Sequence, residues 1–374
     1  MVTFIDRFQY EGLCKRLQYS YNPCMAGHRT STQVSSKPTL ADVAALAGVS
    51  AATVSRALTR GDAVKRTTRR RVLAAVDALG YRPNRAARGL STGLSGALGM
   101  LVPDISNPFF AELIRSAQAE ARAHDKVLLI ADTAQSEAQE LDLLESLAGQ
   151  VDGLIVCSPL LGPEQLGPGL ARVPMVFVNR RGEGIPAVVI DQGAIVRISV
   201  RHLRDLGHRH LAYLAGPEHL WSSQRRLEAV RALADSEDLE IEVLGPFEPT
   251  FEGGSRAAEP ALAGGATGVI AFNDVIALGL MTRLAAMGIA VPERLSVVGS
   301  DDVPLADMWT PALTSVRAPT RAAGRSAVEL LGELIEQGAR GPLNGLPLRE
   351  SVPVRRVELE GHLVIRGSTA EAPA

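Results

Sequence analysis

Between Ala97 and Asp301 the sequence alternates short apolar runs with longer stretches of helical texture, and it does so twice. The first series is ALGMLVP, KVLLIAD, DGLIVCS and PMVFVN; the second is HLAYLAG, IEVLG, TGVIAFN and LSVVGSD. Runs that are apolar throughout, with helical segments between them, belong to parallel strands covered by helices on both faces. This pattern admits few folds. It predicts an α/β core of two similar lobes, each a parallel sheet flanked by helices. Ligands of such sheets sit at the carboxyl ends of the strands. Those ends carry Asp104, Asn107, Asn179, Asn273, Asp274, Asp301 and Asp302.

Upstream the elements are short and helical. In TLADVAALAG, Thr39 is placed to cap a helix and Asp42 follows three residues on, a shortened capping box. Leu40, Val43, Ala44 and Ala47 share one face, and Gly48 stops the helix. Ser50 caps a second helix in VSAATVSRAL, and a third fits TTRRRVLAAVDALGY, with Val72, Val76 and Leu79 inward and Gly80 as its stop. Two short helices joined by a glycine turn, closed by a third, form an all-α helix-turn-helix domain. From Lys37 to Gly93 there are eleven basic residues and three acidic ones, a net +8 in a chain whose total is −2. A basic module on an acidic body points to a polyanionic partner, with a solvated charged face as the alternative. After Arg82-Pro83, NRAARGLSTG is too short for a stable isolated helix and reads as a conditional helix or hinge.

Several classes are excluded. No apolar run reaches the ~18 residues needed to span a bilayer. Charges interrupt MVTFIDRFQYEGLCKRL, so it has no signal-peptide core, and a cytoplasmic protein without a membrane partner is expected. Cys14, Cys24 and Cys157 form neither a disulfide framework nor a zinc spacing, and Cys157 in GLIVCS reads as a small buried hydrophobe. There is no P-loop, no GxGxxG after the first strand and no HExxH, so no enzyme, cofactor or metal site is expected. His208 and His210 of GHRH read as surface or helix-capping histidines rather than ligands. Asp301 and Asp302 suit hydrogen bonding to a ligand, with strand-end turn chemistry as the alternative. The tail STAEAPA is expected to be disordered.

The motifs TLADVAALAGVSAATVSRAL, GYRPNRAARGL, VPDISNPFFAELIRSAQ, HLRDLGHRHLAYLAGP, GVIAFNDVIALGLMTRLAAMGIAVPERLSVVGSDD and PALTSVRAP together closely resemble the lactose/galactose-repressor family of bacterial transcription regulators. The similarity runs in order from about Pro38 to Thr369. It implies a helix-turn-helix domain (37–83), a hinge helix (84–94) and a two-lobed core like a periplasmic sugar-binding protein (95–374). It further implies a ligand-responsive repressor that binds a palindromic operator as a homodimer, or as a tetramer. Residues 1–36 precede the resemblance and are expected to be a disordered, dispensable extension, with translation starting near Met25. The competing reading is a DNA-contacting arm using Arg7, Lys15, Arg16 and Arg29.

The resemblance implies that the second helix enters the major groove. Ala51 and Ala52 then stand where much of the base readout is made, and their side chains can only pack, for example on a thymine methyl. Thr53, Ser55 and Arg56 are left for base edges and phosphates, with Thr39 and Ser50 at the helix starts. Arg56 is placed either for a bidentate guanine contact or as a phosphate clamp. Asn84, Arg85, Ala87, Arg88 and Leu90 match the hinge helix, in which Leu90 corresponds to a minor-groove wedge. In the core the resemblance places Asp104, Asn107, Phe109, Phe110, Asn179, Arg226, Asn273 and Asp301 around a small effector, a sugar or related polyol. One of the two phenylalanines is expected only to pack, and Arg225 is expected to lie outside. Three positions depart from the family pattern. Ala229 replaces a glycine, Thr59 an asparagine, and Lys65 a serine, which weakens the third helix's cap or shifts it to Thr67. A solute-binding protein for transport shares the two-lobed core but would need a signal peptide and no basic module. An enzyme fused to a DNA-binding domain would need a catalytic motif.

Overall fold

The computed structural model describes residues 38–59, 63–82, 94–236, 239–339 and 355–373. The extension 1–36, the hinge residues Asn84, Arg85, Ala87, Arg88 and Leu90, and Cys14 and Cys24 lie outside these. The chain divides into two units, Met1–Pro83 and Asn84–Ala374.

The first unit contains α1 (Leu40–Ala47), α2 (Ala51–Thr59) and α3 (Arg66–Leu79). Thr39 and Asp42 close a capping box: the Thr39 hydroxyl accepts from the Asp42 N–H at 3.3 Å, and the Asp42 carboxylate accepts from the Thr39 N–H at 2.7 Å. Gly48, at φ 62, turns the chain in the left-handed region that a side chain would resist, and its N–H returns to the last turn of α1. The Ser50 hydroxyl accepts from the Thr53 N–H at 3.2 Å and starts α2. Val43, Ala44, Ala47, Val54, Ala57, Val72, Ala75 and Tyr81 form the core, with Val76 and Leu79 packed at its edge. The third helix begins at Arg66, and Lys65 at its N-cap makes no side-chain cap. The cap is therefore weakened there rather than moved to Thr67.

The second unit holds two six-stranded sheets. The first runs β11-β5-β4-β3-β1-β2, with β1 (Ala97–Val102), β2 (Val127–Asp132), β3 (Leu154–Cys157), β4 (Met175–Val178), β5 (Ala187–Ile190) and β11 (Arg356–Leu359), all parallel. The second runs β12-β10-β9-β8-β6-β7, with β6 (His210–Leu214), β7 (Glu240–Leu244), β8 (Gly268–Ala271), β9 (Ser296–Asp301), β10 (Thr314–Arg317) and an antiparallel β12 (His362–Val364). Helices cover both faces: α4 (Pro108–Ala123), α5 (Glu137–Ala148) and α12 (Thr320–Ala339) in the first lobe. In the second lie α6 (Gln192–Asp205), α7 (Trp221–Ser236), α8 (Phe251–Arg256), α9 (Ala258–Ala263), α10 (Asp274–Ala286) and α11 (Pro304–Met308). Successive β6 side chains serve opposite cores. Leu211 and Tyr213 pack with Val196 and Val230, while Ala212 and Leu214 pack with Ile276 and Leu280.

The chain passes between lobes three times: from β5 into α6, from β10 into α12, and from β11 into β12. Helix α12 returns to pack on α4, where Gly324 approaches Ser116 and Leu113 so closely that a Cβ would collide.

Two expectations are corrected. The tail is ordered as far as it is described. Ser368 is fully buried, its hydroxyl donates to the Val297 carbonyl at 2.6 Å, and it accepts from the Thr314 N–H at 2.8 Å. The Ala370 N–H donates to the Ser296 hydroxyl at 3.1 Å, and the Ala372 N–H donates to the Leu206 carbonyl at 2.8 Å. His208 is likewise not at the surface. It is 1% exposed, with one ring nitrogen 2.8 Å from the Thr267 hydroxyl and the other 3.1 Å from the Ala370 carbonyl. The tail covers one side of the ring and Thr267 the other.

Candidate functional site

In the first unit, Ala51 and Ala52 lie exposed at the front of α2 beside exposed Ser50, Ser55 and Arg56, with Thr53 half-buried. Arg56 Nε donates to the Ala52 carbonyl at 3.2 Å, which lays the guanidinium stem back along its own helix. Exposed Thr39 sits at the start of α1, and Arg66, Arg69, Arg70 and Arg71 are exposed along α3.

In the second unit, Asp104, Asn107, Phe109, Phe110, Asn179, Arg226, Asn273 and Asp301 all line one cleft of about 770 Å³, counting the solvent at its mouth. The strands place them there. Asn179 follows β4 and Asp301 ends β9. Asn107 and Asn273 cap α4 and α10, each side-chain oxygen accepting a helix N–H, from Phe109 at 3.1 Å and from Ile276 at 2.9 Å. That leaves their NH2 groups to offer a ligand. Phe109 and Phe110 meet edge to face with centroids 5.0 Å apart; both line the cleft and both pack into the core. Arg225 lies outside, paired with Glu228 at 2.9 Å.

Sequence reasoning missed Gln135, Ser158, Gln192, Trp221 and Phe272, which also line the cleft. One signal is visible only in the backbone. Seven non-glycine residues have positive φ among the described residues, and four of them, Gln135, Ser158, Asn179 and Asp301, line the cleft. Such conformations cost energy and concentrate where a fold aims side chains at a ligand.

Arg226 organises the centre. Its Nε donates to Gln192 Oε1 at 2.7 Å, its Nη1 donates to the Phe272 carbonyl, and its guanidinium lies 4.9 Å over the Phe272 ring. Its Nη2 stands 3.9 Å from Asp301 Oδ1. Burial pushes the Asp301 carboxyl up to about 7, against the opposing pull of Arg226. Beneath it, fully buried Asp274 accepts from the Ser315 hydroxyl at 2.6 Å and the Val303 N–H at 2.8 Å. Burial, and then the neighbouring Asp301, raise the Asp274 carboxyl well above the usual range. Asp302 turns away to Arg317 and Arg366, at 2.5 and 2.6 Å, and is structural. Among the described residues no cluster of His, Cys, Asp or Glu is arranged to hold a metal, and no single helix is long and apolar enough to cross a membrane.

A helix-turn-helix unit followed by a two-lobed core, whose cleft sets a few polar side chains in a largely apolar lining, defines a class: ligand-binding transcription regulators built on a periplasmic-binding-protein-like fold. The comparisons agree. The pattern of bacterial regulatory proteins of the lacI family matches residues 39–84, and that of a periplasmic binding protein-like domain matches residues 200–369. The HTH-type transcriptional regulator GalS of Salmonella typhimurium is 36% identical, over 82% of this chain and 91% of that protein. The repressor CytR of Escherichia coli is 32% identical, over 90% of this chain and 97% of that protein. Among solved structures, the lac repressor dimer bound to operator and the anti-inducer ONPF superposes with a TM-score of 0.75 at 26% identity, over 90% of this chain and all of that one. The regulator CelR in complex with cellobiose matches with a TM-score of 0.63 at 30% identity, over 88% and 99%. The chain belongs to the LacI family of bacterial transcription regulators.

Proposed function

We propose that this regulator is a cytoplasmic repressor without catalytic activity, binding a near-palindromic operator as a homodimer and answering to a neutral sugar or related polyol in the interlobe cleft. The observation that carries this reading is the small set of polar and charged side chains in an otherwise apolar cleft. Among the described residues its charged lining side chains are Asp104, Arg226 and Asp301, and protein acceptors engage Nε and Nη1 of that guanidinium. That leaves one guanidinium edge, Nη2, facing Asp301 and, among the described residues, no second lining cation to neutralise a phosphate or carboxylate. What is offered is a set of amide donors, carboxylate acceptors and an aromatic wall, which suits hydroxyls on an apolar ring face.

On the DNA side, α2 is the recognition helix. Ala51 and Ala52 allow close approach, Arg56 contacts a guanine edge or a phosphate, and Thr39, Ser50, Thr53 and Ser55 fix the register on the backbone and base edges. Asn84, Arg85, Ala87, Arg88 and Leu90 supply the minor-groove contacts of the hinge. Two-fold proteins read two-fold sites, and so basic a module gives an affinity that falls steeply with salt.

The test is operator selection from a random duplex library, followed by titration of neutral mono- and disaccharides and their phosphorylated counterparts against the bound complex. Release or tightening by a neutral sugar is expected. A response confined to phosphorylated ligands, or selection of a non-palindromic site by a monomer, overturns the reading.

A further inference from the structure

A directional chain of hydrogen bonds joins the two lobes through the cleft lining. Asn179 Nδ2 donates to Ser158 Oγ at 3.0 Å, Gln192 Nε2 donates to Asn179 Oδ1 at 2.6 Å, and Arg226 Nε donates to Gln192 Oε1 at 2.7 Å. Ser158 and Asn179 stand at the ends of β3 and β4 in the first lobe, and Arg226 belongs to α7 in the second. Gln192 is the first residue of α6, where the chain has just crossed between them, and it is 3% exposed.

We propose that Gln192 is the positioning residue of the effector site, an amide latch that orients Arg226 and ties the lobes together before a ligand arrives. The proposal rests on the reading of the cleft as the effector site. An amide suits this place because one end accepts and the other donates. Arginine only donates, so the Gln192 oxygen must face Arg226. The Gln192 NH2 then faces the Asn179 oxygen, and the Asn179 NH2 faces Ser158. Arg226 thereby fixes both amide orientations, and the chain has one polarity throughout. With Nε held by Gln192 and Nη1 by the Phe272 carbonyl, the guanidinium plane is set. Its Nη2 edge is held 3.9 Å from Asp301, a gap that a ligand hydroxyl can bridge by accepting from one and donating to the other. Without Gln192, Arg226 Nε becomes a buried donor with no acceptor, and Asp301, 3.9 Å from Nη2, is a carboxyl within reach of a guanidinium that turns. The gap then closes on itself, and the lobes lose the 2.6 Å bond between Gln192 and Asn179.

The chain has two tryptophans, and Trp221 lines the cleft while Trp309 packs near Phe251 with centroids 6.1 Å apart. Trp309→Phe leaves Trp221 as the sole tryptophan, and excitation at the red edge, where the five tyrosines do not absorb, makes cleft opening readable in the full chain without any ligand. Acrylamide quenching and thermal unfolding are compared for Gln192→Met and Gln192→Glu in this background, with Gln192→Leu as the substitute should the methionine variant not fold. The methionine variant is expected to raise the Trp221 quenching constant about twofold, a shift of the open population. The glutamate variant is expected to quench like the parent. Its carboxylate accepts from Arg226 and from a turned Asn179 NH2, while the Ser158 hydroxyl donates to the Asn179 oxygen. A second arm titrates D-galactose, D-ribose and cellobiose. Any probe bound by the parent is expected to bind about tenfold more weakly to the methionine variant and within about threefold to the glutamate variant. Equal quenching in the methionine variant and the parent overturns the proposal. So does opening of the glutamate variant to the same extent, or a loss of thermal stability with no change in quenching. Binding of none of the sugars by the parent counts against the effector reading alone, because the quenching arm decides Gln192 by itself.

Discussion

Arg226 and Asp301 face each other at 3.9 Å with side chains only 5% and 9% exposed, yet they do not form a hydrogen-bonded pair. A guanidinium and a carboxylate so enclosed would close the distance if both were unengaged. They are held apart because Arg226 spends Nε on Gln192 and Nη1 on the Phe272 carbonyl. The separation is the feature on which the proposed ligand chemistry rests.

Replacing either residue by alanine should uncouple the ligand from the DNA. Arg226→Ala and Asp301→Ala are expected to leave operator affinity within about twofold of the parent while the sugar response disappears. Stranding a buried polar partner costs about 1–3 kcal/mol, and more when it is charged. Operator titrations by fluorescence anisotropy, with and without the sugar, measure both terms. An unchanged ligand titration in both variants rejects the assignment.

The same pair predicts a pH dependence. Asp301 titrates at about 7 in the fold against an ordinary 3.8, because burial disfavours its charge. Between those values the folded protein holds a proton that the unfolded chain has released. The contribution of this group to stability therefore falls as pH rises through that window. A ligand hydroxyl donating to Asp301 favours the ionised form. Sugar affinity should therefore rise from about pH 6 to about pH 8, with proton release on binding that is largest near the lower end. Calorimetry in buffers of different ionisation enthalpy reads the proton count. Asp301→Asn should remove the pH dependence of sugar affinity and this group's share of the stability change, while buried Asp274 keeps its own, and a parent whose sugar affinity is pH-independent would contradict the burial argument.

Much of this architecture is legible in the sequence, and the failures have local causes. Strands β1 to β4 and β6 to β9 announce themselves as apolar runs closed by turn residues. Strand β10, TSVR, does not, because its buried Thr314 and Ser315 are satisfied by Ser368, Thr369 and Asp274, far away in sequence. Strand β11 alternates exposed and half-buried residues at the sheet edge, which hides it among polar segments. The cleft residues matched by resemblance all arrive at one place. Gln192 was invisible, because a glutamine in the first turn of a helix looks like any surface amide until the fold sets Asn179 and Arg226 on either side of it.

The tail offers a stability test of what the sequence concealed. Ser368→Ala removes the hydroxyl that bridges the Val297 carbonyl and the Thr314 N–H. Both backbone groups lie in the second lobe's interior, so the loss is expected to reach about 1–3 kcal/mol. Thermal or urea unfolding gives the difference. An effect below about 0.5 kcal/mol, the usual range for a surface change, would mean that the tail is not held there in solution.

The last prediction concerns α2, proposed as the recognition helix, and its bare front. Ala51 and Ala52 are exposed at the start of α2 and bring no side-chain donor or acceptor to a base edge. Direct readout by hydrogen bonding at those positions is therefore absent, and Ala52→Gln should create it. The new amide can pair with adenine in the major groove, so half-site selections should gain a preference of about 1–3 kcal/mol at one position, with the salt slope unchanged. Arg56 decides the complementary question. Its Nε is tied to the Ala52 carbonyl at 3.2 Å, which directs the guanidinium along the helix. If Arg56 reads guanine, Arg56→Ala relaxes specificity at a single base pair while other positions keep theirs. If it clamps phosphate, the variant weakens all sequences alike and lowers the salt slope by about one. Selection and salt titration of both variants separate these outcomes. An Ala52→Gln variant with unaltered base preference would mean that α2 does not present its N-terminal end to the groove.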